Sequence, residues 1–403
     1  MIGSEPGLCC SADISHPAAT ASQPGDPVRV CFPFSGDSVG GSHLSVLGLV
    51  ERLDPARYRA VIVPEVPGGR IAKIFAGIEQ LPDPVASRRL FVPGEAFSAT
   101  KFGRTLGGVW PRMQFLKRER FGILHVNDGR SSANWALAAR LAGVPVVWHH
   151  RGNPDALGLR LAAPLFANRV LTVSAFALPH PGIWSAAGKA EVVHSPFDTD
   201  LEVDRPAARA ALVAELGVPS DSFMLGYFGA FVPRKRPLLF VDAIAQLRAT
   251  GIPVIGVMFG EARVVAMKDA LDRHIGETGM TGIVRVMGYR SPGAWWIGAC
   301  DQLVVPAVGE PFGRTLVEAM IVGTPVVAVR SGGNIEALRG GIGVLVEPDD
   351  AAALAEGCAQ LIGNAPEAVA MARRAAVDAR QRFSPARHCD QVTAVYARLA
   401  GGR

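Results

Sequence analysis

Val304-Val305-Pro306-Ala307-Val308-Gly309-Glu310-Pro311-Phe312-Gly313-Arg314-Thr315-Leu316-Val317-Glu318-Ala319-Met320 reads as a strand, a turn and a helix. The run up to Val305 is apolar and β-branched enough for a buried strand. Pro306, Gly309, Pro311 and Gly313 break it. From Arg314 the spacing turns helical, with Leu316, Val317 and Met320 apolar and Glu318 polar between them. Pro325-Val326-Val327-Ala328-Val329 follows at once, which makes a βαβ unit. Two carboxylates bracket the turn. Glu310 precedes the helix and Glu318 lies inside it. The first backbone N–H groups of such a helix attract anions, phosphate above all.

Outward from that unit, strands and helical stretches alternate through the chain, as a parallel sheet with crossover helices requires. Strands are expected at residues 28–34, 58–63, 123–127, 144–152, 170–174 and 191–194. A helix is expected from His43 to Leu53, with Leu44, Leu47 and Val50 on one side. Residues 195–206 read as a linker, and the pattern then restarts. A second set of strands is expected at 223–229, 253–259, 283–287, 303–305 and 325–329, with helices at 207–216, 238–247 and 385–399. The fold class is α/β, two doubly wound parallel-sheet halves. The expected division is a disordered leader at 1–27, a first domain at 28–198, a second at 199–383, and a C-terminal helix at 384–403 that packs back on the first domain.

The totals agree. At 403 residues the chain suits two domains, with 49% hydrophobic and 19% charged residues. A net charge of +5 suits anionic ligands or a membrane surface as well as nucleic acid. The six cysteines form no C-x-x-C pair and stand near no histidine cluster, so reduced thiols are expected and no metal site. No stretch reaches 18 apolar residues, and the first 27 lack the basic and apolar regions of a signal peptide.

Ligands of such sheets bind at the carboxyl ends of strands. In the first half, Gly40-Gly41, the His149-His150-Arg151 cluster and Ser174 fall there. In the second half, Gly229 leads into Ala230-Phe231-Val232-Pro233-Arg234-Lys235-Arg236, three cations suited to a diphosphate. Ser331-Gly332-Gly333-Asn334 is another small-residue loop. Residues 101–121 carry Phe102, Leu106, Val109, Met113 and Leu116 at helical spacing, with Lys101, Arg104, Arg112, Lys117, Arg118 and Arg120. Pro111 is expected to kink or divide that helix. A basic amphipathic helix fits an anionic bilayer, and equally a core-facing stripe with solvated charges.

Glu310 through Met320 resembles the E-x7-E signature of retaining GT-B glycosyltransferases of family 4. Residues 323–328, 332–336 and 343–349 fit that family's next blocks, and residues 229–237 resemble its donor-phosphate loop. The resemblance spans nearly all of residues 28–400 and is most specific in the second half. It implies a GT-B fold and transfer of a sugar, with retention, from a nucleotide diphosphate sugar to an acceptor hydroxyl, in cell-envelope polysaccharide or glycolipid synthesis. By likeness, Glu310 contacts the donor sugar and Glu318 the ribose. Gly313, Arg314, Thr315 and Leu316 lie along the diphosphate and base. Lys235 is the phosphate-binding lysine, with Arg234 and Arg236 beside it. Gly40 and Gly41 are the N-terminal glycine loop. The family's site histidine falls at His149 or His150, and His149 is favoured because Arg151 then keeps a spacing seen in some members. No metal and no cofactor is implied beyond the donor.

Two residues depart from the pattern. Ala230 stands where an Arg is frequent, and Ala307 where Ser is usual. A non-catalytic nucleotide-sugar-binding or scaffold subunit, and a GT-B epimerase or phosphorylase, are the other readings. The expected partners are a sugar-nucleotide donor, a sugar or lipid-linked acceptor and, through residues 101–121, an anionic membrane surface; nucleic acid is not expected. The expected location is the cytoplasm, including the inner face of the plasma membrane.

Overall fold

The computed structural model describes residues 26–85 and 106–401. The leader, apart from its last two residues, and the Lys101–Arg104 end of the basic segment fall outside them.

Seven strands form the first sheet: β1 (Val28–Phe34), β2 (Tyr58–Pro64), β3 (Glu79–Gln80), β4 (Ile123–Val126), β5 (Val146–His150), β6 (Arg169–Thr172) and β7 (Ala190–Val192). Their order is β3-β2-β1-β4-β5-β6-β7. Six form the second: β8 (Phe223–Phe228), β9 (Val254–Phe259), β10 (Val284–Gly288), β11 (Gln302–Val305), β12 (Val326–Val329) and β13 (Val344–Val346), in the order β10-β9-β8-β11-β12-β13. Every pairing is parallel. Strand order reverses between β1 and β4 and again between β8 and β11, so each sheet opens a crevice at the carboxyl ends of those strands. The loops after β1, β8 and β11 carry Gly40-Gly41, Arg234-Lys235 and Glu310.

Each sheet is sandwiched between helices because its strands are apolar on both faces. Val30, Phe32, Ile123 and Val147 bury one face of the first sheet against Val392, Val395 and Tyr396. Those three come from the C-terminal helix Pro385–Ala400, so the end of the chain closes the core of its beginning. The preceding helix, Ala365–Arg382, stays with the second half through Ala375 and Ala379, which pack in one cluster with Leu316 and Val317.

Several details differ from expectation. The first helix is Gly41–Val50 and buries His43, Val46, Leu49 and Val50. The His43 ring packs on Phe34 at 4.9 Å, and its Nδ1 accepts the Gly40 N–H at 3.0 Å. This turns Leu44 outward, 49% exposed, toward the cleft. Strands β3 and β13 were not expected; both are short edge strands, too brief to show a period. In the basic segment, Pro111 sits in the first turn of helix Val109–Arg118 and does not divide it. Arg112 is not a surface charge. It is 3% exposed, pairs with Asp83 at 2.8 Å and lies over the Trp135 ring at 5.1 Å. Lys117, Arg118, Arg120 and a 66% exposed Trp110 remain on the surface of that segment. Among the described residues, no helix is long and apolar enough to cross a membrane.

Candidate functional site

Glu310 is fixed by its backbone before its side chain does anything. The Gly333 N–H donates to its carbonyl at 2.7 Å, the Gly309 N–H donates to Ser331 Oγ at 3.0 Å, and the Asn334 amide donates to the carbonyls of Ala307 and Val329. A Cβ at Gly332 would stand 2.5 Å from the Glu310 carbonyl oxygen, and its φ is +58°, so only glycine fits. The Ser331-Gly332-Gly333-Asn334 loop therefore buttresses the Glu310 turn. The Glu310 carboxylate, mostly buried, accepts from Arg234 Nη1 at 2.5 Å and has Lys235 Nζ 3.4 Å from the same oxygen. The Val308 N–H donates to the Arg234 carbonyl at 3.0 Å, which ties the two loops together.

The helix Arg314–Val322 starts at Gly313. Thr315 and Glu318 face a cavity of about 750 Å³ that Gly229 and Ala230 also line. Burial pushes the Glu318 carboxyl up, opposed by Arg314, whose guanidinium is 3.9 Å away. Leu316 is wholly buried in the core and lines neither this cavity nor the one beside Gly41, so the sequence reading's place for it along the diphosphate is not met by its side chain. Arg236 is a correction to the sequence reading. It takes a left-handed turn at φ +49° and pairs with Asp349 at 2.6 Å, where Arg234 and Lys235 turn to Glu310.

Among the cavity residues that the sequence reading missed are Arg263, Tyr289 and Arg290. The signal was available, since Arg263 follows β9 and the other two follow β10 directly, at strand carboxyl ends. They put charge and an aromatic ring around Ala230. Arg290 also bonds Glu215 at 2.8 Å.

From the first half, Gly41 comes so close to Arg314 that a Cβ there would lie 2.7 Å from Arg314 Cδ. Gly41 and Arg314 share a smaller cavity of about 250 Å³ with Ser42, Arg151 and Glu310. Gly40 caps the helix beside it. The two histidines stand elsewhere. His150 Nε2 donates to the Asn153 carbonyl at 2.8 Å. His149 is 1% exposed, behind Arg151. Its Nδ1 lies 3.3 Å from Arg151 Nη2 and 3.3 Å from His125 Nε2, and His125 Nδ1 is 2.5 Å from the Tyr396 hydroxyl. A guanidinium only donates, so His149 Nδ1 accepts and its Nε2 carries the proton. That Nε2 has no partner among the described residues. Burial, then Arg151, holds His149 well below the ordinary imidazole range, so the ring is neutral at pH 7.

Contacts between the halves gather behind the cleft. Ser174 Oγ donates to the Pro311 carbonyl at 2.5 Å. Glu336 bonds His194 Nε2 at 2.6 Å and the Ala175 N–H at 2.6 Å. Burial raises the Glu336 carboxyl, but these two bonds, with the His194 and Arg382 charges, outweigh it and leave the group below the usual range. Among the described residues, no group of three or more His, Cys, Asp or Glu is placed to hold a metal ion.

Two parallel-sheet Rossmann-like halves whose ligand loops face a shared cleft define the GT-B architecture. Solved structures share it: HepE of Anabaena in complex with UDP and glucose (TM-score 0.75, 23% identity, 92% of this chain and 99% of that one) and a glycosyltransferase of Rickettsia africae (TM-score 0.76, 17% identity, 93% and 99%). The profile of the family described as "Glycosyl transferases group 1" matches residues 209–378. The D-inositol 3-phosphate glycosyltransferase of Mycobacterium leprae is 35% identical over 218 residues, 53% of this chain and 50% of that protein. D-inositol 3-phosphate glycosyltransferase 1 of Catenulispora acidiphila is 31% identical over 313 residues, 70% and 74%. The chain belongs to the group 1 glycosyl transferases. It spans about half the length of the mycobacterial relatives it matches.

Proposed function

We propose that this chain transfers a sugar from a nucleotide diphosphate sugar to an acceptor hydroxyl, with retention at the anomeric carbon, in the synthesis of a cell-envelope polysaccharide or glycolipid. The observation that carries the reading is the convergence of Glu310, Lys235 and the start of helix Arg314–Val322 beside a cavity of about 750 Å³. The nucleoside lies in that cavity, with Glu318 on the ribose hydroxyls and Tyr289 against the base. The diphosphate meets Lys235, Arg234 and the N–H groups of the helix start. The C1–O bond to the diphosphate breaks, the bond from C1 to the acceptor oxygen forms on the same face, and the acceptor proton passes to the departing phosphate oxygen. Lys235 and the helix start stabilise the charge on that leaving group, each such preorganised donor contributing about 3 kcal/mol. Glu310 orients the donor sugar. Neutral His149, buried behind Arg151, accepts from its guanidinium through Nδ1 and so positions it. No step needs a metal.

A peripheral site on the inner membrane face fits Trp110, Lys117, Arg118 and Arg120, with Arg112 removed from that set. Sedimentation with anionic liposomes at low salt tests it, and a protein that stays in the supernatant contradicts it.

The chemical test is release of nucleoside diphosphate from UDP-, GDP- and ADP-sugars without acceptor, in the presence of EDTA. One donor is hydrolysed slowly by the wild type, and the rate falls about 10²-fold in Lys235→Ala. Equal rates in the two proteins overturn the reading. Sugar isomerisation, or a requirement for free phosphate, assigns an epimerase or phosphorylase instead.

A further inference from the structure

Arg151 is a partly buried cation that pairs with no carboxylate among the described residues. It leaves the end of β5, and its guanidinium donates to Ser195 Oγ at 2.9 Å, to Asn127 Oδ1 at 3.2 Å and to His149 Nδ1 at 3.3 Å. All three acceptors are neutral. Its Nε has no partner among the described residues. Across the cavity of about 250 Å³ stands Arg314, whose Nη1 also has no partner among them and whose guanidinium lies 4.5 Å over the Phe197 ring. Glu310 is the one carboxylate among the described residues lining that cavity, and it is engaged by Arg234 and Lys235. Burial first, then the facing Arg314, pushes the Arg151 guanidinium down to about 9, which still leaves it charged at pH 7. Arg314, partly exposed, has Glu318 as its nearest carboxylate at 3.9 Å, and Arg151 has none among the described residues, so the gap between the two guanidiniums favours an anion.

We propose that the cavity between Arg151 and Arg314 binds an oxyanion carried by the acceptor, a phosphate monoester or a carboxylate, so that this enzyme selects anionic acceptors. The assignment to the acceptor rests on the transferase reading above. The donor diphosphate has cations of its own in the second half, Lys235 and Arg234, with the helix start beside them. Arg151 comes from the first half, just past the end of β5. Guanidinium forks suit both oxyanions, and both line one cavity of about 250 Å³. The Gly41-Ser42 backbone completes the rim.

Calorimetric titration of the full chain with inorganic phosphate, in the presence of saturating UDP, tests this. Phosphate binds the UDP complex of the wild type. Its Kd rises at least tenfold in Arg151→Gln and less in Arg151→Lys, while the affinity for UDP changes by less than twofold in both. Competition against phosphate by glucose 6-phosphate, glucuronate and glucose then separates the two oxyanions, and neutral glucose does not compete. The proposal is overturned if UDP abolishes phosphate binding, if Arg151→Gln weakens UDP as Lys235→Ala does, or if glucose competes as well as its charged relatives. Failure of the wild type to bind any of UDP, GDP and ADP contradicts the donor reading instead, and the same phosphate titration without nucleotide still reads the Arg151 site through its variants.

Discussion

The Arg234 guanidinium reaches the Glu310 carboxylate at 2.5 Å, and Lys235 Nζ stands 3.4 Å from the same oxygen. The acid assigned to the donor sugar thus neutralises the cations assigned to its diphosphate. Substituting Glu310→Gln frees those cations. UDP then binds as tightly as before or more so, while hydrolysis of the sugar nucleotide falls by about 10²-fold, the scale of one lost preorganised group. Titration of UDP beside single-turnover rates measures the split. A tenfold loss of UDP affinity in Glu310→Gln contradicts this role for Glu310.

Glu318 is held inside the 750 Å³ cavity, with its carboxyl pushed up by burial and steadied by Arg314. A hydrogen bond to a charged group is worth about 1.5–3 kcal/mol. Glu318→Ala is therefore expected to weaken UDP by roughly ten- to a hundredfold. Calorimetry on the folded variant reads this directly, and an unchanged Kd removes the ribose assignment.

Arg112 and Asp83 form a buried pair, 2.8 Å apart. Removing one partner of such a pair costs about 3–5 kcal/mol, because the other charge stays buried. Arg112→Ala should lower the unfolding free energy measured in urea by that amount, whereas Arg112→Met combined with Asp83→Leu should come much closer to wild type. Equal losses in the single and double variants count against the ion-pair account.

Burial, then the Arg151 charge, depresses His125, His149 and His388, the last to about 3. The ordinary value is 6.5. Below about pH 6.5 the unfolded chain takes up protons that the folded chain refuses, so stability falls as pH falls. The loss continues until each folded-state value is reached. Each such histidine steepens the decline by about 1.4 kcal/mol per pH unit. Glu336 adds to the decline lower down. Its folded-state value is depressed, so its contribution is present above the unfolded carboxylate range and is lost as the pH drops through it. Urea unfolding at pH 7, 6 and 5 checks the histidine contribution, with His388→Gln predicted to flatten the slope and an identical slope in that variant contradicting it.

Much of the fold was legible because apolar β-branched runs such as Val326–Val329 and strand-ending glycines such as Gly229 carry their own punctuation. The bracketing of Gly313 by Glu310 and Glu318 was legible for the same reason, a fixed spacing across one turn. What escaped were facts of tertiary packing. His43 turned inward to cap its own helix and stack on Phe34, which sent Leu44 to the cleft. Arg112 found Asp83, and Arg236 found Asp349. Of the three polar residues ending β5, the sequence ranked the histidines first, yet Arg151 reaches the cavity because it lies just past the strand. No local period distinguishes those outcomes.

The central claim is that the Glu310–Lys235 cleft holds a nucleotide diphosphate sugar. A thermal-unfolding screen against UDP-, GDP- and ADP-sugars with EDTA present tests it most directly. One nucleotide series stabilises the wild type by about 2.7 kcal/mol at 100 times its Kd. The same ligand gives little stabilisation to Glu318→Ala or Lys235→Ala at that concentration. A wild-type unfolding temperature unmoved by every nucleotide sugar at millimolar concentration would contradict the account.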